Sequence, residues 1–293
     1  MSQEPHPIGL KLVTRNVIGG IPSFRTEYFQ QDRKRTEHRN WRGAKRWYGA
    51  SYVRYGPRLA TLIRCDLAQS FDLNLDAREY TASPYPSQPL TKEEQEALGI
   101  KMPQFVRPEK PTLRIETTTV DTGERKTIFA RTARHIITTR KHIPLEGAVS
   151  GPQETITDGW YIDLDTSISC EKKLPKGARI HSHLTCMSAG DNRIDNVEFI
   201  DNGEQETGFA ILTKVTSSHT LTLPDGRQSE HANTSEFQVT ELIEGPLDPA
   251  LFSIPDGFRQ VRHIESNPPP SPIPGRWGMA WQQFLYRLPR LFR

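Results

Sequence analysis

The chain has 293 residues, a net charge of +3, 35% hydrophobic residues, 25% charged residues and 23 prolines. This composition supplies enough apolar material for one large domain or two smaller ones, rich in turns and loops. No run approaches the roughly 20 apolar residues that span a bilayer. The N-terminus MSQEPHPIGLKLV lacks the basic segment and apolar core of a secretory signal, so the sequence predicts a soluble chain that is not exported.

The first third of the chain predicts a meander of two or three strands. Residues 23–38 indicate a strand that becomes strongly charged, and residues 39–50 indicate a basic, aromatic loop. The segments Ala60–Asp66 and Phe71–Leu75 are apolar and lie close together in sequence, as expected for two further strands.

A short helix is predicted at Thr91–Leu98, after the proline-rich connection 83–90. Thr91 suits the N-terminal cap, Glu94 completes a capping box, and Gly99 suits the C-terminal stop. At about two turns, this helix would lie on a sheet as a cover and would not form a layer of its own.

The central stretch Thr112–Leu164 has the strongest strand pattern. Thr, Ile, Val and Phe dominate it, and apolar and polar residues alternate on both sides of a predicted turn at Asp121–Glu124. This pattern is typical of an antiparallel sheet with one wet face.

More strands are predicted beyond this stretch. The dipeptide Asn202-Gly203 favours a tight hairpin between strands near Asn196–Ile200 and Phe209–Thr216. Later predicted elements are a turn at Pro224-Asp225-Gly226, a strand around Glu236–Ile243, a short turn at Leu247–Phe252 capped by Asp248, and a last strand at Phe258–Ile264. The predicted fold is therefore mainly β, with an antiparallel sheet over residues 10–265.

The C-terminal end differs in character from the rest of the chain. Residues 266–275 form a proline-rich linker, and residues 276–293 form a basic, aromatic tail with apolar residues at helical spacing. Such an amphipathic helix would either lie on an anionic membrane surface or pack back on the sheet. Its predicted membrane or partner contacts are Trp277, Trp281, Phe284, Leu285 and Arg287.

Four segments occur in an order that resembles a known family. They are LIRCDLAQSFDLNLDAREYT, VDTGERKTIFARTARHIITT, TDGWYIDL and LDPALFSIPDGFRQV. The chain resembles a family of uncharacterised bacterial envelope proteins, distantly similar to lipoprotein-carrier (LolA/LppX-like) half-barrels. The resemblance implies a curved half-barrel whose apolar concave face shelters acyl chains beneath a short helix, in the periplasm or cell envelope. The missing signal peptide and the C-terminal tail depart from the family, and without export the chain would be cytoplasmic.

The state of the cysteines depends on whether the chain is exported or remains in the cytosol. In an exported protein, Cys170 and Cys186 would form a disulfide closing the loop EKKLPKGARIHSHLT, whereas in cytosol they would be free thiols. Cys65 follows an apolar strand and is interpreted as a small buried residue.

Two patterns suggest chemistry that the spacing supports poorly. His181, His183 and Cys186 could approach one metal from a strand, but they match no structural zinc pattern, and a solvent-facing strand accounts for them better. Val120-Asp121-Thr122-Gly123 matches the core of an aspartic-protease motif. That chemistry needs two carboxylates, and no second copy of the motif is present.

A basic and aromatic block near the N-terminus raises the question of nucleic acid. Cations with interleaved rings can bind single strands, but no nucleic-acid motif accompanies them and the whole chain is only mildly basic, which disfavours nucleic acid as a partner. The block contains Arg33, Lys34, Arg35, Arg39, Trp41, Arg42, Lys45, Arg46, Trp47 and Tyr48.

The sequence therefore predicts a non-enzymatic, envelope-associated protein without a cofactor, binding a lipid or other hydrophobic ligand in a concave β-sheet. An alternative is a structural or interaction protein with a filled core, which acts through its tail or sheet edge. A metal- or Asp-dependent hydrolase built on Asp121 or on His181 and His183 is a third reading.

Overall fold

A computed structural model of the chain describes residues 9–47, 50–86, 105–171, 193–222 and 228–264. These ranges contain two short 3-10 helices and no helix long and apolar enough to cross a membrane. The strands are β1 (Gly9–Ile18), β2 (Ile21–Gln30), β3 (Arg33–Trp47), β4 (Ala50–Arg64), β5 (Gln69–Asn74), β6 (Glu79–Pro84), β7 (Leu113–Ile128), β8 (Arg131–Pro144), β9 (Gln153–Ile162), β10 (Val197–Asn202), β11 (Phe209–Thr222), β12 (Gln228–Gly245) and β13 (Arg259–Gln260).

These strands form one mixed sheet in the order β10-β7-β8-β9-β11-β12-β1-β2-β3-β4-β5-β6-β13. Strands β1 to β6 form an antiparallel meander, and the pairing of β12 with β1 joins the late strands to it. The two parallel pairings, β10 with β7 and β13 with β6, lie at the two edges. The predicted mainly β class is confirmed, but the sheet is mixed and not purely antiparallel.

The tight turns do not all lie where the sequence predicts them. Gly19 and Gly20, with φ of 57° and 77°, connect β1 to β2, and Phe129 and Ala130, with φ of 52° and 57°, connect β7 to β8. The predicted turn at Asp121–Glu124 is wrong, because these residues lie inside β7 at an irregularity in its pairing with β8. The Asp121 carboxylate accepts a hydrogen bond from the Gly123 N–H, so Asp and Gly here shape a bulge and not a hairpin.

The predicted hairpin at Asn202-Gly203 is also wrong. Strand β10 pairs with β7 at the sheet edge, whereas β11 lies between β9 and β12. Gly203 has a φ of 88°, and a Cβ atom there would collide with the Thr119 carbonyl oxygen of β7. Glycine is therefore needed for a close approach of two backbones.

The basic segment predicted as a loop at 39–50 is instead part of a long hairpin. Strand β3 continues to Trp47 and β4 begins at Ala50, with paired residues throughout and two register irregularities.

The sheet has an apolar core on each of its two faces. Phe29 and Ile63 belong to one cluster together with Leu12, whereas their neighbours Tyr28 and Leu62 belong to a second cluster. Because successive residues of a strand point to opposite sides, the two clusters lie on opposite faces of β2 and β4. We call these the Leu12 face and the Tyr28 face.

A segment of the chain covers each core. Residues 163–171 contribute Leu164, Ile168 and Cys170 to the cluster on the Leu12 face. Residues 247–258 contribute Phe252, which is fully buried, to the cluster on the Tyr28 face. The Arg35 guanidinium is also buried there and donates to the Leu251 carbonyl oxygen at 3.0 Å.

The covering segment 247–258 begins as the sequence predicts. A 3-10 helix at Pro249–Phe252 is capped by Asp248, whose carboxylate accepts from the Ala250 N–H at 2.9 Å. The predicted last strand at Phe258–Ile264 is much shorter than expected, because Arg259–Gln260 alone pairs with β6.

The predicted Cys170–Cys186 disulfide is wrong, because Cys170 is bonded to Cys65, with Cα atoms 5.4 Å apart. Cys65 follows the end of β4, and residues 163–171 cross the Leu12 face from the end of β9 to reach it. An ion pair between Lys34 and Glu171, at 3.4 Å, lies beside the crossing. Proximity here arises from strand order, so loop spacing in the sequence could not identify the pair.

The predicted helix Thr91–Leu98, the turn at Pro224-Asp225-Gly226, the linker 266–275 and the tail 276–293 lie outside the described residues. They remain predictions.

Candidate functional site

One row of directly paired side chains crosses six strands of the sheet. At β1 and β2 it lies on the side that carries Tyr28, away from the segment 247–258, whereas its member Trp160 also packs against the Leu12 cluster. Its most exposed apolar members are Phe24, with 55% of its surface accessible, and Leu212, with 38%. We call it the open row, and from β8 through β9, β11, β12 and β1 to β2 it consists of His135, Trp160, Leu212, Gln238, Arg15 and Phe24.

Irregularities in strand pairing border the open row. In β11 the register shifts between Ala210 and Leu212, and in the β1–β12 pair it shifts between Val13 and Thr14. Bulges bend a strand and re-aim its side chains. Here Ile211 is buried in the core cluster of the Leu12 face, while the next residue, Leu212, is exposed on the open row.

Trp160 contacts side chains from both strands of the β7–β8 hairpin. The His135 ring stacks on it with centroids 4.8 Å apart and planes inclined by 15°. The Lys126 ammonium lies 3.7 Å from the centre of the Trp160 ring, within the range of a cation–π contact. These contacts restrict the rotamers of Trp160, so its side chain would lose little conformational entropy when a ligand binds.

His135 joins a threonine and a carboxylate in an arrangement that resembles a hydrolase triad. Its Nε2 lies 2.8 Å from the Asp158 carboxylate, and its Nδ1 lies 3.1 Å from the Thr122 hydroxyl. That hydroxyl also donates to the His135 carbonyl oxygen and accepts from the Glu124 N–H, both at 3.2 Å. Because its single proton is directed to a backbone carbonyl, Thr122 serves the bulge of β7 and is not poised as a nucleophile.

A second row of paired residues lies beside the open row on the same face. Asp158, Lys214 and Glu236 follow one another on β9, β11 and β12, so negative and positive charges alternate. Lys214, Glu236 and Arg15 form no ion pair within 4 Å with any described residue. Their charges therefore remain available to a ligand.

The two rows enclose a shallow cleft of about 300 Å³. Trp160 and Leu212 supply apolar surface, while Arg15, Lys214 and Glu236 supply charge. A mixed surface of this kind suits recognition of a polypeptide better than enclosure of an acyl chain, which needs a deep apolar cavity.

A second cleft, of about 340 Å³, lies at the far ends of β8, β9, β11 and β12. His142 and His219 line it, and burial lowers the pKa of His142. His219 stacks on His231 with ring centroids 5.6 Å apart. Within the described ranges, no group of three or more His, Cys, Asp or Glu residues is arranged to hold a metal ion.

The protease-like Asp121 is engaged in an exposed ion pair. A hydrogen bond from Arg125, at 2.6 Å, lowers the pKa of Asp121 to about 2. An aspartic protease instead needs a carboxylate that shares a proton with a second one. The arrangement around Asp121 is that of a stabilised strand bulge.

The described cations of the basic N-terminal block are used within the fold. Arg33 pairs with Asp66 at 3.3 Å, and Lys34 lies 3.8 Å from Glu27. Arg39 lies over the Tyr55 ring, 6.0 Å from its centre. Arg35 is buried, as described above. The side chains of Trp41, Arg42, Lys45, Arg46, Trp47 and Tyr48 lie outside the described residues, as do the metal candidates His181, His183 and Cys186 and the predicted contacts Trp277, Trp281, Phe284, Leu285 and Arg287.

Sequence reasoning placed Trp160 in a strand but did not identify it or its neighbours as a site. The spacing of Asp158 and Trp160, two residues apart in TDGWYIDL, indicates a shared face. The residues that lie across from them on β11, β12 and β1 can be identified only from the register of strand pairing in the structure.

Comparison with known proteins adds little. No model of a protein family matches the chain. No curated protein matches it either. Among solved structures, the crystal structure of MucB in complex with MucA(peri) is 11% identical, with the match covering 79% of this chain and 88% of that chain at a TM-score of 0.10. A TM-score this low does not establish a common fold.

Proposed function

We propose that this chain is a non-enzymatic binding protein of an oxidising compartment such as the periplasm or cell envelope, and that the open row binds a segment of a partner polypeptide. The observation that carries the proposal is the open row, in which the exposed side chains of Phe24 and Leu212 lie beside Arg15, a cation with no ion-pair partner among the described residues. Buried aromatic and arginine anchors dominate the energetics of many protein interfaces, and this row supplies both residue types.

The disulfide supports the choice of compartment. Cys65 and Cys170 are bonded, and the bond holds the segment 163–171 against the core of the Leu12 face. Structural disulfides form and persist in oxidising compartments and are rare in cytosol, where thiols are kept reduced.

The filled cores favour a polypeptide over the lipid that the family resemblance suggests. In a lipid carrier the apolar concave face must leave room for an acyl chain. Here Ile168 and Phe252, from two covering segments, are buried in the apolar clusters of the two faces. In the described part of the sheet, the chain's own side chains thus fill the apolar clusters.

The polar groups near the site support a role other than catalysis. Asp121 is held by Arg125, and Thr122 serves the backbone of β7. A hydrolase on this face would need an activated nucleophile with a positioned base, and the Thr122 hydroxyl is not in that state.

Native mass spectrometry of the protein purified from its own source tests the proposal. We expect an adduct of polypeptide mass, reduced in the double variant Phe24→Ala and Leu212→Ala and unchanged in Leu67→Ala. Leu67 is a matched control because it is 50% exposed and lies outside the open row, in the 3-10 helix Cys65–Leu67. An adduct of lipid mass that is indifferent to the double variant would overturn the proposal in favour of a lipid carrier.

A further inference from the structure

We propose that the open row recognises an extended polypeptide segment in which an acidic residue stands between apolar ones. This inference rests on the proposed function and specifies the partner's chemistry. Its first support is the composition of the row, in which Arg15 is the sole permanently charged residue, between Gln238 and Phe24.

Arg15 has no anionic partner among the residues that the structure describes. It forms no ion pair or side-chain hydrogen bond with any described residue, although its strand neighbours Lys11 and Thr14 do form such bonds. A guanidinium offers five N–H donors in a fixed fork that matches a carboxylate. A carboxylate brought by a partner would meet these donors at the wall of the cleft.

The apolar groups lie on both sides of Arg15. Trp160 and Leu212 form one anchor, and Phe24 forms the other. Adjacent strands are roughly 4.8 Å apart, so Leu212 and Arg15, two strands apart, are separated by about 9.6 Å. An extended chain advances about 3.3 Å per residue, which places the acidic residue about three positions from the apolar residue that meets Leu212.

Phe24 lies one strand beyond Arg15, so the second apolar residue follows the acidic one within about two positions. The whole row spans six strands, or roughly 24 Å, which corresponds to about seven extended residues. A short linear segment therefore fits the row.

The chain's own C-terminal tail is a poor match for this surface. The tail sequence GRWGMAWQQFLYRLPRLFR has aromatic residues but no Asp or Glu, and its arginines would repel Arg15. At Arg15, the charge therefore favours a separate, acidic partner over this tail.

A displayed library of random eight-residue peptides tests the inference. The library is panned against the full chain and counter-selected against the Phe24→Ala and Leu212→Ala double variant. We expect the enriched peptides to carry an Asp or Glu about three positions from an apolar residue. We expect Arg15→Glu to weaken such a peptide by about tenfold or more and to enrich Lys or Arg at that position instead.

Arg140→Glu is the matched control. Arg140 is exposed, forms no ion pair with a described residue, and lies on β8 at an odd distance from His135, hence on the opposite sheet face. Its replacement should change binding by less than about twofold, within the range of a screened surface charge.

Other outcomes separate this inference from the proposed function. Enriched peptides that lack an acidic residue but still need Phe24 and Leu212 would overturn the inference and leave the proposed function standing. Absence of any enrichment would overturn both, and binding of anionic phospholipid vesicles to the chain would then identify a lipid surface as the partner. A dimer in sedimentation that Arg15→Glu dissociates would show that a second copy occupies the row, which also overturns the inference.

Discussion

Cys65 and Cys170 are 105 residues apart in sequence, yet their disulfide joins the connection between β4 and β5 to the segment that follows β9. The bond fixes residues 163–171 over the Leu12 face, where Ile168 is 2% exposed. It therefore connects strands β1 to β4 with strands β7 to β9 through a covalent contact as well as through the sheet.

Removal of this bond should destabilise the whole fold. A disulfide closing about 100 residues restricts the unfolded chain strongly, and we expect Cys65→Ser to lower the free energy of unfolding by about 3–5 kcal/mol in urea titrations. Cys186→Ser is the control and should leave both the bond and the stability unchanged. Loss of the bond in Cys186→Ser, with Cys65→Ser unaffected, would contradict the pairing.

Core and open-row leucines should respond differently to truncation. Leu12 is fully buried, and Leu12→Ala should cost about 2–5 kcal/mol of unfolding free energy. Leu212 is exposed, and Leu212→Ala should cost less than about 1 kcal/mol while weakening partner binding. Chemical denaturation of both variants checks this contrast, and equal losses would mean that Leu212 is a core residue.

Arg35 should hold the segment 247–258 in place. It is 6% exposed, pairs with Glu37 at 2.7 Å and donates to the Leu251 carbonyl oxygen. Arg35→Ala leaves buried polar groups without partners, and we expect a loss of about 3 kcal/mol. Hydrogen–deuterium exchange should rise at residues 247–254 and stay unchanged at residues 163–171. Arg39→Ala, an exposed neighbour on β3, serves as the control.

The Asp195 carboxylate should make stability depend on pH. It accepts hydrogen bonds from the Val149 and Ser150 N–H groups and the Thr112 hydroxyl, at 2.8–2.9 Å. Burial raises the pKa of Asp195, but these hydrogen bonds outweigh burial and leave the pKa below its ordinary value of 3.8.

Because the folded-state pKa of Asp195 is lowered, its contribution is present above the ordinary pKa and disappears as pH falls through the folded pKa. We expect Asp195→Ala to cost about 2 kcal/mol at pH 7, since buried N–H donors lose their acceptor. The difference from wild type should shrink between pH 4 and pH 2 in urea titrations. A difference that stays constant over this range would refute the charged role of Asp195.

Local patterns predicted the elements well where neighbours in sequence decide them. The alternation in Ala60–Asp66 and Phe209–Thr216 marks β4 and β11, and Asp248 caps the 3-10 helix at Pro249–Phe252 as its sequence indicates. The Asp121 and Asn202-Gly203 signals were misread because Asp, Asn and Gly favour any sharply turned backbone. These residue types therefore do not distinguish a bulge within a strand, or the end of an edge strand, from a hairpin.

Register and strand order decided what the sequence could not predict. The partner of Cys170 is Cys65 and not the nearer Cys186, because the chain crosses the sheet between them. The open row likewise unites Trp160, Arg15 and Phe24 from distant segments. A slip of one residue would exchange the two faces of a strand, so alternation alone does not identify the members of such a row.

The most direct test of the account is disulfide mapping of the protein purified from its own source, by non-reducing proteolysis and mass spectrometry. We expect one cross-linked peptide pair containing Cys65 and Cys170, with Cys186 as a free thiol. Three free thiols would contradict an oxidising compartment. A Cys170–Cys186 pair would contradict the path of residues 163–171 over the Leu12 face.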